Sequence, residues 1–554
     1  MKLRRLCCLA LTLALLLTSL LTGSALAEGE YVTQSGIEMS APGEFPITKE
    51  KTTITVFIQQ LPYHLTDITT NSFTQEMEEL TNVHLNMIVA PSDSYREKLN
   101  MLLAGGDYPD VIMSGGFGNA DLVKYGTEEG ILIPLNDLID KYGVNIKQRW
   151  ADLPSLKDDM TTPDGNIYGI PTMESYMVGH TAVNYKLWLN TAWLEKLGLE
   201  VPTTTEEFKN VLIAFRDQDP NGNGIQDEIP LTGAAGTWAA DPYLFLINAF
   251  IHYDGLLTLK DDTFTTPVNQ DDFREALRYI ADLYKEGLID PAAFTQNEQQ
   301  MSAVGNNEGA VIMGAATAGH IGMAVSINDT ERYAMYDCLA PLQGPNGYRG
   351  IPFKKEQRTS GATFVITDKC KDPELAIRIA DYLCSEDAVI RHQVGIKGID
   401  WDDADEGAVS VTGEPATRKY LAFSTSGEGA ERNDIWSQTC VLLENNWKTT
   451  FQLEGDIRDV TNYESYLLQE TEKLREYAAD VQQIPPYYMN EEDSARLSQL
   501  SSPLSDYVRS YIVGFITGNY DIDADWDAYV KGLNDLHIDE YIALNQAAYD
   551  ALAK

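Results

Sequence analysis

The stretch TTITVFI, residues 52–58, is rich in β-branched and aromatic residues and predicts a buried β-strand. The chain after it alternates between helical and extended patterns: a helix in SFTQEMEELTNV (72–83), a strand in HLNMIVA (84–90), a helix in SYREKLNMLLAGG (94–106) and a strand in DVIMS (110–114). Strands and helices that alternate at this spacing form parallel βαβ units, so the sequence predicts an α/β fold.

A second α/β alternation begins at GATFVIT (361–367), and a clear helix follows it. Asp372 is its predicted N-cap, and Pro373 suits the first helical position. Between the two α/β stretches, Thr204 and Glu207 form a capping box that opens another helix. We therefore expect a flexible leader at 28–49, a first lobe at 50–176 plus 360–425, and a second lobe at 177–359 plus 426–554.

The first 27 residues are typical of a secretory signal peptide, with a basic start, an apolar run and a small-x-small cleavage site at Ala25–Ala27. Leu21-Thr22-Gly23 would normally precede a lipidated cysteine, but Ser24 follows instead and cannot carry the thioether-linked lipid. We expect cleavage after Ala27 and an unlipidated protein released outside the cytoplasm. No later run is long and apolar enough for membrane insertion.

The composition excludes several partners. Without the signal peptide the chain keeps 38 basic and 83 acidic residues, a formal charge of −45, which repels nucleic acid and anionic lipid. The hydrophobic fraction of 44% still permits a large core, and the length implies at least two domains or lobes. Four cysteines remain without any CxxC pair, which favours isolated buried thiols over a zinc or redox site.

The acidic stretch DQDPNGNGIQDE, residues 217–228, places oxygen-bearing side chains at alternate positions. Counted from Asp217, it fits an EF-hand loop with Gly222 sixth and Glu228 twelfth. Hard oxygen ligands favour calcium, and a solvated acidic turn is the alternative. The short β-like run IPL (229–231) follows instead of a helix, so we expect a structural calcium site and not a switch.

Many phrases in this chain resemble one family, the bacterial extracellular solute-binding proteins of family 1, which bind oligosaccharides for ABC importers. They occur in the family's order over residues 50 to 550: AGGDYPDVIM (104–113), DGNIYGIP (164–171), LWLNTAWLEKLGLEVPTTTEEF (187–208), DPNGNGIQDEIPL (219–231), GLIDP (287–291), ITDKCKDPELAIRIADYL (366–383), VGIKGIDW (394–401) and IDEYIALNQAAYD (538–550). Their joint order is far more specific than any single phrase.

The resemblance implies a two-lobed α/β periplasmic-binding-protein-like type II fold, with a hinge and a ligand cleft between the lobes. It also implies a calcium loop in a different register, in which Asp217 lies outside the site. In that register the ion's ligands are the side chains of Asp219, Asn221, Asn223, Asp227 and Glu228 with the Ile225 carbonyl. The implied partners are an oligosaccharide and the permease subunits of an importer, and we expect a monomer.

No catalytic motif points to an enzyme: the seven histidines are scattered, and the sequence contains no HExxH, GxSxG or P-loop. A sugar cleft needs aromatic faces, and four residues are candidates: Tyr63, Tyr176, Trp238 and Trp401. Trp188 and Trp193 lie in an apolar helical pattern and are expected to pack internally. A carbohydrate-sensing or adhesive surface protein, or a binder of peptides or other solutes, would use the same fold and stays open.

Overall fold

The structure is a computed structural model that describes residues 31–61, 67–174, 183–354, 361–422, 433–437, 439–440, 442–444, 446–479, 484–485 and 487–552. The expected signal peptide and two of the four candidate ligand residues, Tyr63 and Tyr176, lie outside these ranges.

The first sheet consists of four strands: β1 (Thr52–Gln60), β2 (Val83–Pro91), β3 (Val111–Phe117) and β11 (Ala362–Ile366). Their order across the sheet is β2-β1-β3-β11. β1 is parallel to β2 and β3, whereas β11 is antiparallel to β3. The α/β prediction for both parts of the sequence is confirmed, because β11 returns to the sheet from a distant part of the chain.

Helices cover this sheet and complete a first hydrophobic core. They are Ser72–Thr81, Tyr95–Gly105, Asn119–Leu122, the π-helix Val123–Glu128, Asn136–Tyr142, Asn145–Asp152, Pro154–Met160, Pro373–Leu383 and Glu386–Gln393. In the centre of this core, Phe57 and Phe73 are almost fully buried.

The leader that we predicted to be flexible is packed against this first core from residue 31 onward. Ile47 is fully buried, and β-bridges join Val32 to Glu38 and Met39 to Thr48. The buried Arg378 guanidinium donates hydrogen bonds to backbone carbonyls of this segment, and Asp372 accepts one from the backbone N–H of Ser35. Side chains of a distant helix and of its N-cap therefore satisfy polar backbone groups of this polar segment.

The second sheet is antiparallel and places β5 (Lys186–Asn190) between β8 (Ala315–Ala318) and β9 (Tyr336–Cys338). Trp188 lies in β5, so its predicted helical setting was wrong, although it is fully buried as expected. Alternation cannot be seen in β5 because both faces are buried, and such a strand resembles a buried helix in sequence. Trp193 begins the next helix and is also buried.

Helices surround this second sheet and form further hydrophobic clusters. They are Thr191–Leu197, Thr205–Asp217, Leu244–Ile247, Asp271–Lys285, Glu298–Gly305, Thr330–Tyr333, Tyr463–Arg475, Glu491–Thr517, Trp526–Asp535 and Ile538–Leu552, with 3-10 turns at Pro291–Phe294, Ile321–Met323 and Val460–Asn462. The predicted capping box is present: the Thr204 hydroxyl accepts a hydrogen bond from the Glu207 N–H, and the Glu207 carboxylate accepts one from the Thr204 N–H. Strands β6 (Thr258–Lys260) and β7 (Thr263–Thr265) form a small hairpin over a fourth cluster.

Among the described residues, 31–170 and 362–451 contribute to the first core, whereas 183–351 and 457–544 contribute to the clusters around the second sheet. The three changes between these described segments are the crossovers. Short pairs accompany these crossovers: β4 (Met173–Glu174) with β14 (Leu443–Glu444), and β10 (Ile351–Lys354) with β15 (Ala478–Ala479). β12 (Trp401–Asp403) pairs with β13 (Arg418–Tyr420), and a 3-10 turn spans Asn446–Thr450.

The predicted division into lobes needs one change after residue 425. Trp436, Trp447 and Phe451 are buried in the first core, not in the second. We therefore propose a first lobe of residues 31–174 plus 361–451, and a second lobe of 183–354 plus 457–552.

Within the described ranges, no helix combines the length and the apolar character needed to cross a membrane. Cys338, Cys370, Cys384 and Cys440 are all free thiols, as the spacing predicted, and all except Cys370 are buried.

His392 in the first core gives a test of the fold at acidic pH. Its ring is fully buried near Phe73 and Trp436. Burial, with a smaller contribution from Arg391, lowers the pKa of His392 to about 4. Because the unfolded chain takes up this proton more readily, stability should fall as the pH drops from about 6.5 towards 4, by up to about 3 kcal/mol.

The melting temperature of the wild type should therefore fall more steeply over this pH range than that of His392→Leu, which has no proton to take up. A constant difference between the two melting temperatures from pH 7 to pH 4 would contradict this assignment.

Candidate functional site

The edges of the two sheets next to the crossovers define the cleft side of each lobe. In the first lobe, Gly361 lies beside the end of β3. A Cβ added to this glycine would lie 2.6 Å from the Phe117 carbonyl oxygen. In the second lobe, Val183 enters just before β5, and Gly319 follows the end of β8. Ligands of open α/β sheets bind at such edges, so the side chains there are the candidates for ligand contact.

Trp238 is the exposed aromatic residue at this edge of the second lobe. Its side chain is 51% exposed, and its ring covers Gly319, where an added Cβ would lie 2.4 Å from Trp238 Cζ3. Only glycine leaves room for the indole at this position. The result is a flat, solvent-facing apolar ring, which suits the C–H face of a sugar.

Two side chains of β5 hold the strand end under Trp238 in place. Trp188 Nε1 donates a 3.1 Å hydrogen bond to the Ala318 carbonyl, and Lys186 Nζ donates to the carbonyls of Gly319 (3.2 Å) and Val183. Lys186 is almost fully buried, and burial lowers the pKa of its ammonium group to about 8. This lysine therefore joins the first residues after the crossover to the strand end that carries Trp238.

His320 and Tyr463 extend the same edge. The Trp238 and His320 rings are 6.3 Å apart, and the Tyr463 hydroxyl lies 2.8 Å from His320 Nδ1 while it accepts a hydrogen bond from the Gly322 N–H. Our sequence analysis missed both residues. They are more than 140 positions apart, and no local motif joins them.

Trp401, the other described candidate, lies on the first lobe. Its half-buried indole packs on the first core and donates a 3.2 Å hydrogen bond to the Gly395 carbonyl. Lys397 and Arg418 lie over its ring at 5.4 and 5.7 Å. The structure therefore places Trp238 and Trp401 on different lobes.

Two surface cavities, of about 430 and 580 Å³, lie elsewhere on the second lobe. The larger is lined by polar groups such as Asn306 and Arg332, and neither is lined by Trp238 or His320. Arg332 already donates hydrogen bonds to three backbone carbonyls, so the polar lining is used in holding a turn together. These cavities do not coincide with the ligand edge.

The acidic loop leaves the helix Thr205–Asp217 and folds on itself. The Asp219 carboxylate accepts hydrogen bonds from the N–H groups of Gly222 (2.9 Å) and Gly224 (3.0 Å). The amide groups of Asn221 and Asn223 donate to the Asp227 carboxylate at 3.0–3.2 Å. Asn221 and Asn223 therefore lie against Asp227, while the Asp219 carboxylate binds backbone N–H groups of the same loop.

Glu228 closes this loop with a buried carboxylate. Neither of its oxygens has a hydrogen-bond partner of good geometry within the described ranges. Burial raises the pKa of Glu228, and the nearby charges of Asp219 and Asp227 raise it further. Backbone N–H groups at Glu228 itself and at Asn221 lower this pKa in part. A buried carboxylate next to two others is costly unless a cation binds there.

Asp217 does not take part in this arrangement. Its carboxylate forms a two-pronged ion pair with Arg216, at 2.7 and 2.9 Å, and this pair lowers the pKa of Asp217. Asp217 is therefore engaged by Arg216 at the end of the helix and, among the described residues, forms no hydrogen bond or ion pair with the other predicted ligands.

Oxygen donors of several kinds would be needed to bind an ion here. In the part of the chain that the structure describes, no group of three or more His, Cys, Asp or Glu side chains is arranged to hold a metal by itself. The loop has to add the amide oxygens of Asn221 and Asn223 and a backbone carbonyl to its carboxylates. Such a mixed set of hard oxygen donors fits calcium.

Comparisons with known proteins agree with this architecture. A profile of the family described as bacterial extracellular solute-binding protein matches residues 66–390. The fructooligosaccharide ABC transporter substrate-binding protein FusA of Streptococcus pneumoniae is 30% identical over 552 residues, covering 97% of each chain.

Solved structures of that relative share the fold. FusA in complex with kestose superposes with a TM-score of 0.73 at 27% identity, covering 90% of this chain and 99% of that one. An EF-hand mutant of FusA in complex with fructo-nystose gives a TM-score of 0.74 at 26% identity, with the same coverage. The predicted two-lobed α/β type II fold is therefore confirmed.

The relatives are substrate-binding proteins of ABC transporters, which confirms the prediction of a binding protein and not an enzyme. The chain belongs to the bacterial extracellular solute-binding proteins.

Proposed function

We propose that this protein captures an oligosaccharide outside the cytoplasm and delivers it to the permease subunits of an ABC importer. The observation that carries this proposal is the Trp238 ring, half-exposed and held over Gly319 at the cleft edge of the second lobe. Its flat apolar face suits the C–H surface of a sugar, and His320 beside it offers a polar group for hydroxyls.

The class of sugar is supported by similarity. A relative that matches 97% of this chain carries the name of a fructooligosaccharide-binding protein, so fructooligosaccharides are the first ligands that we propose. Closure of the two lobes around the sugar would follow from bending of the three crossovers, and the monomer would present the closed form to the importer.

Calcium is the proposed structural ion of this protein. The Asp219, Asn221, Asn223, Asp227 and Glu228 side chains with the Ile225 carbonyl would hold it. The buried Glu228 carboxylate supports this assignment, and the EF-hand mutant made in FusA indicates that this relative has an EF-hand. The ion would neutralise three adjacent carboxylates and fix the loop to the end of the helix Thr205–Asp217.

The remaining ligand candidates keep the roles that the sequence suggested. Trp401 would contact the sugar from the first lobe, and Tyr63 and Tyr176, which lie outside the described ranges, would do so from the first β-strand's loop and from the first crossover.

The sugar platform is tested by Trp238→Ala. Loss of the stacking ring should weaken the binding of kestose by at least about tenfold, measured by isothermal titration calorimetry with calcium present. Gly319→Ala should act in the same direction, because its Cβ would displace the indole. Trp401→Ala tests the opposite lobe and should also weaken binding.

Met101→Ala is the control, because it removes a similarly exposed apolar side chain from an outer helix of the first lobe. Unchanged affinity in Trp238→Ala would remove this residue from the site, and turnover of the sugar by the purified protein would contradict the binding function.

The calcium site is tested by chelation and substitution. A chelator should lower the melting temperature, because an ion that binds only the folded state stabilises that state. The effect should be larger at pH 7 than at pH 5, since the raised pKa of Glu228 allows it to take up a proton as the pH falls. Asp227→Ala should abolish the response to calcium.

Asp217→Ala is the matched control, because its partner is Arg216 and not the loop. An equal loss of calcium response in Asp217→Ala and Asp227→Ala would support the EF-hand count instead of the proposed ligand set.

Release from the membrane is tested by intact mass. We expect the mature chain to begin at Glu28 without lipid, because Ser24 stands where a lipidated cysteine would be. A diacylglyceryl-modified N-terminus in the mass spectrum would contradict this expectation.

A further inference from the structure

A second group of polar side chains lies next to Trp238 on the same face of the second sheet. β5 and β8 pair Lys186 with Ala318, and one more residue of this register sets Tyr185 opposite Gly319. Directly opposed residues have their Cβ positions about 5 Å apart. The Trp238 ring fills the space over Gly319, so Tyr185 occupies the strand position across from the glycine that the ring covers.

Asp241 lies on the other side of the Trp238 segment. Its half-buried carboxylate accepts a 3.0 Å hydrogen bond from the Gly236 N–H, two residues before the tryptophan. Burial raises the pKa of Asp241, while the Gly236 N–H, the Tyr243 hydroxyl and the Arg509 charge lower it in part. Asp241 also acts on Tyr185, whose pKa is raised first by burial and then by the Asp241 charge.

Arg509 completes the group from the helix Glu491–Thr517. Its guanidinium group lies over the backbone of Gly236, where an added Cβ would be 3.8 Å from Nη1. The side chain is exposed and makes no hydrogen bond or ion pair with the residues that the structure describes. Its five N–H donors are therefore available for a ligand.

We propose that Tyr185, Asp241 and Arg509 form a second sugar subsite, which binds the hydroxyl groups of the unit adjoining the one on Trp238. The inference rests on the proposed function and adds the residues that would bind the second sugar unit. Gly236 and Trp238 are at most about 7 Å apart along the chain, a distance that one further sugar unit spans.

The chemistry of the group selects a neutral, hydroxyl-rich unit. A pair of neighbouring hydroxyls can accept hydrogen bonds from the Arg509 fork and donate to the Asp241 carboxylate, and Tyr185 can donate or accept at the edge. The guanidinium and the carboxylate balance each other's charge. A unit with its own carboxylate would face Asp241 at close range and be repelled.

The test compares sugars of increasing length in two variants. Arg509→Met and the nearly isosteric Tyr185→Phe are titrated calorimetrically with the monosaccharide fructose, kestose and fructo-nystose in the presence of calcium. Each variant should bind kestose and fructo-nystose about tenfold more weakly, which is the effect of losing one hydrogen bond of this kind, and fructose, which has no second unit, with a smaller change. Melting temperatures should stay close to that of the wild type.

Arg496→Met is the control on the same helix, since its guanidinium pairs with Glu540. It should leave all affinities unchanged. Unchanged binding of kestose in both Arg509→Met and Tyr185→Phe would overturn the subsite, while loss of binding in Trp238→Ala would still support the platform. An equal loss for all three sugars would overturn the assignment to a second unit. A wild type that binds none of the three sugars would overturn both the subsite and the fructooligosaccharide ligand.

Discussion

Each of the two main hydrophobic cores is assembled from segments that are far apart in the chain, so the chain has to cross between them. The first core joins residues around Ile47, Phe57, Val365 and Trp447, and three passages between the described segments connect it to the second. Rigid packing inside each lobe leaves these passages as the places where bending costs least. A ligand between the lobes can then change their relative position without disturbing either core.

In the second lobe, the buried strand β5 fixes the strand end that lies under Trp238. β5 is buried on both faces, and its side chains Lys186 and Trp188 bind the carbonyls at the end of β8. Those hydrogen bonds hold the backbone of Ala318 and Gly319 in place under the Trp238 ring. Because Lys186 also binds the Val183 carbonyl, the start of the lobe and the strand end under Trp238 are held by the same ammonium group.

Charge has a local role in a protein this acidic. Asp219, Asp227 and Glu228 are brought together in one loop, where only a cation or bound protons can relieve their repulsion. In the second lobe, by contrast, Asp241 and Arg509 both lie against Gly236, and the positive charge of Arg509 partly offsets the carboxylate. In the proposed subsite, a neutral sugar would therefore contact hydrogen-bonding groups of both signs of charge.

The sequence by itself determined the elements whose signals are local. The strand pattern at 52–58 and the capping box of Thr204 and Glu207 act over a few residues, and both have the expected local form. The acidic loop likewise closes through hydrogen bonds within itself. Only the tertiary structure decided that the polar leader is held by Arg378, that Trp188 is in a strand, and that His320 meets Tyr463. Each of these depends on partners more than a hundred residues away. Hydrophobic periodicity and residue propensity within a short stretch of sequence cannot detect such partners.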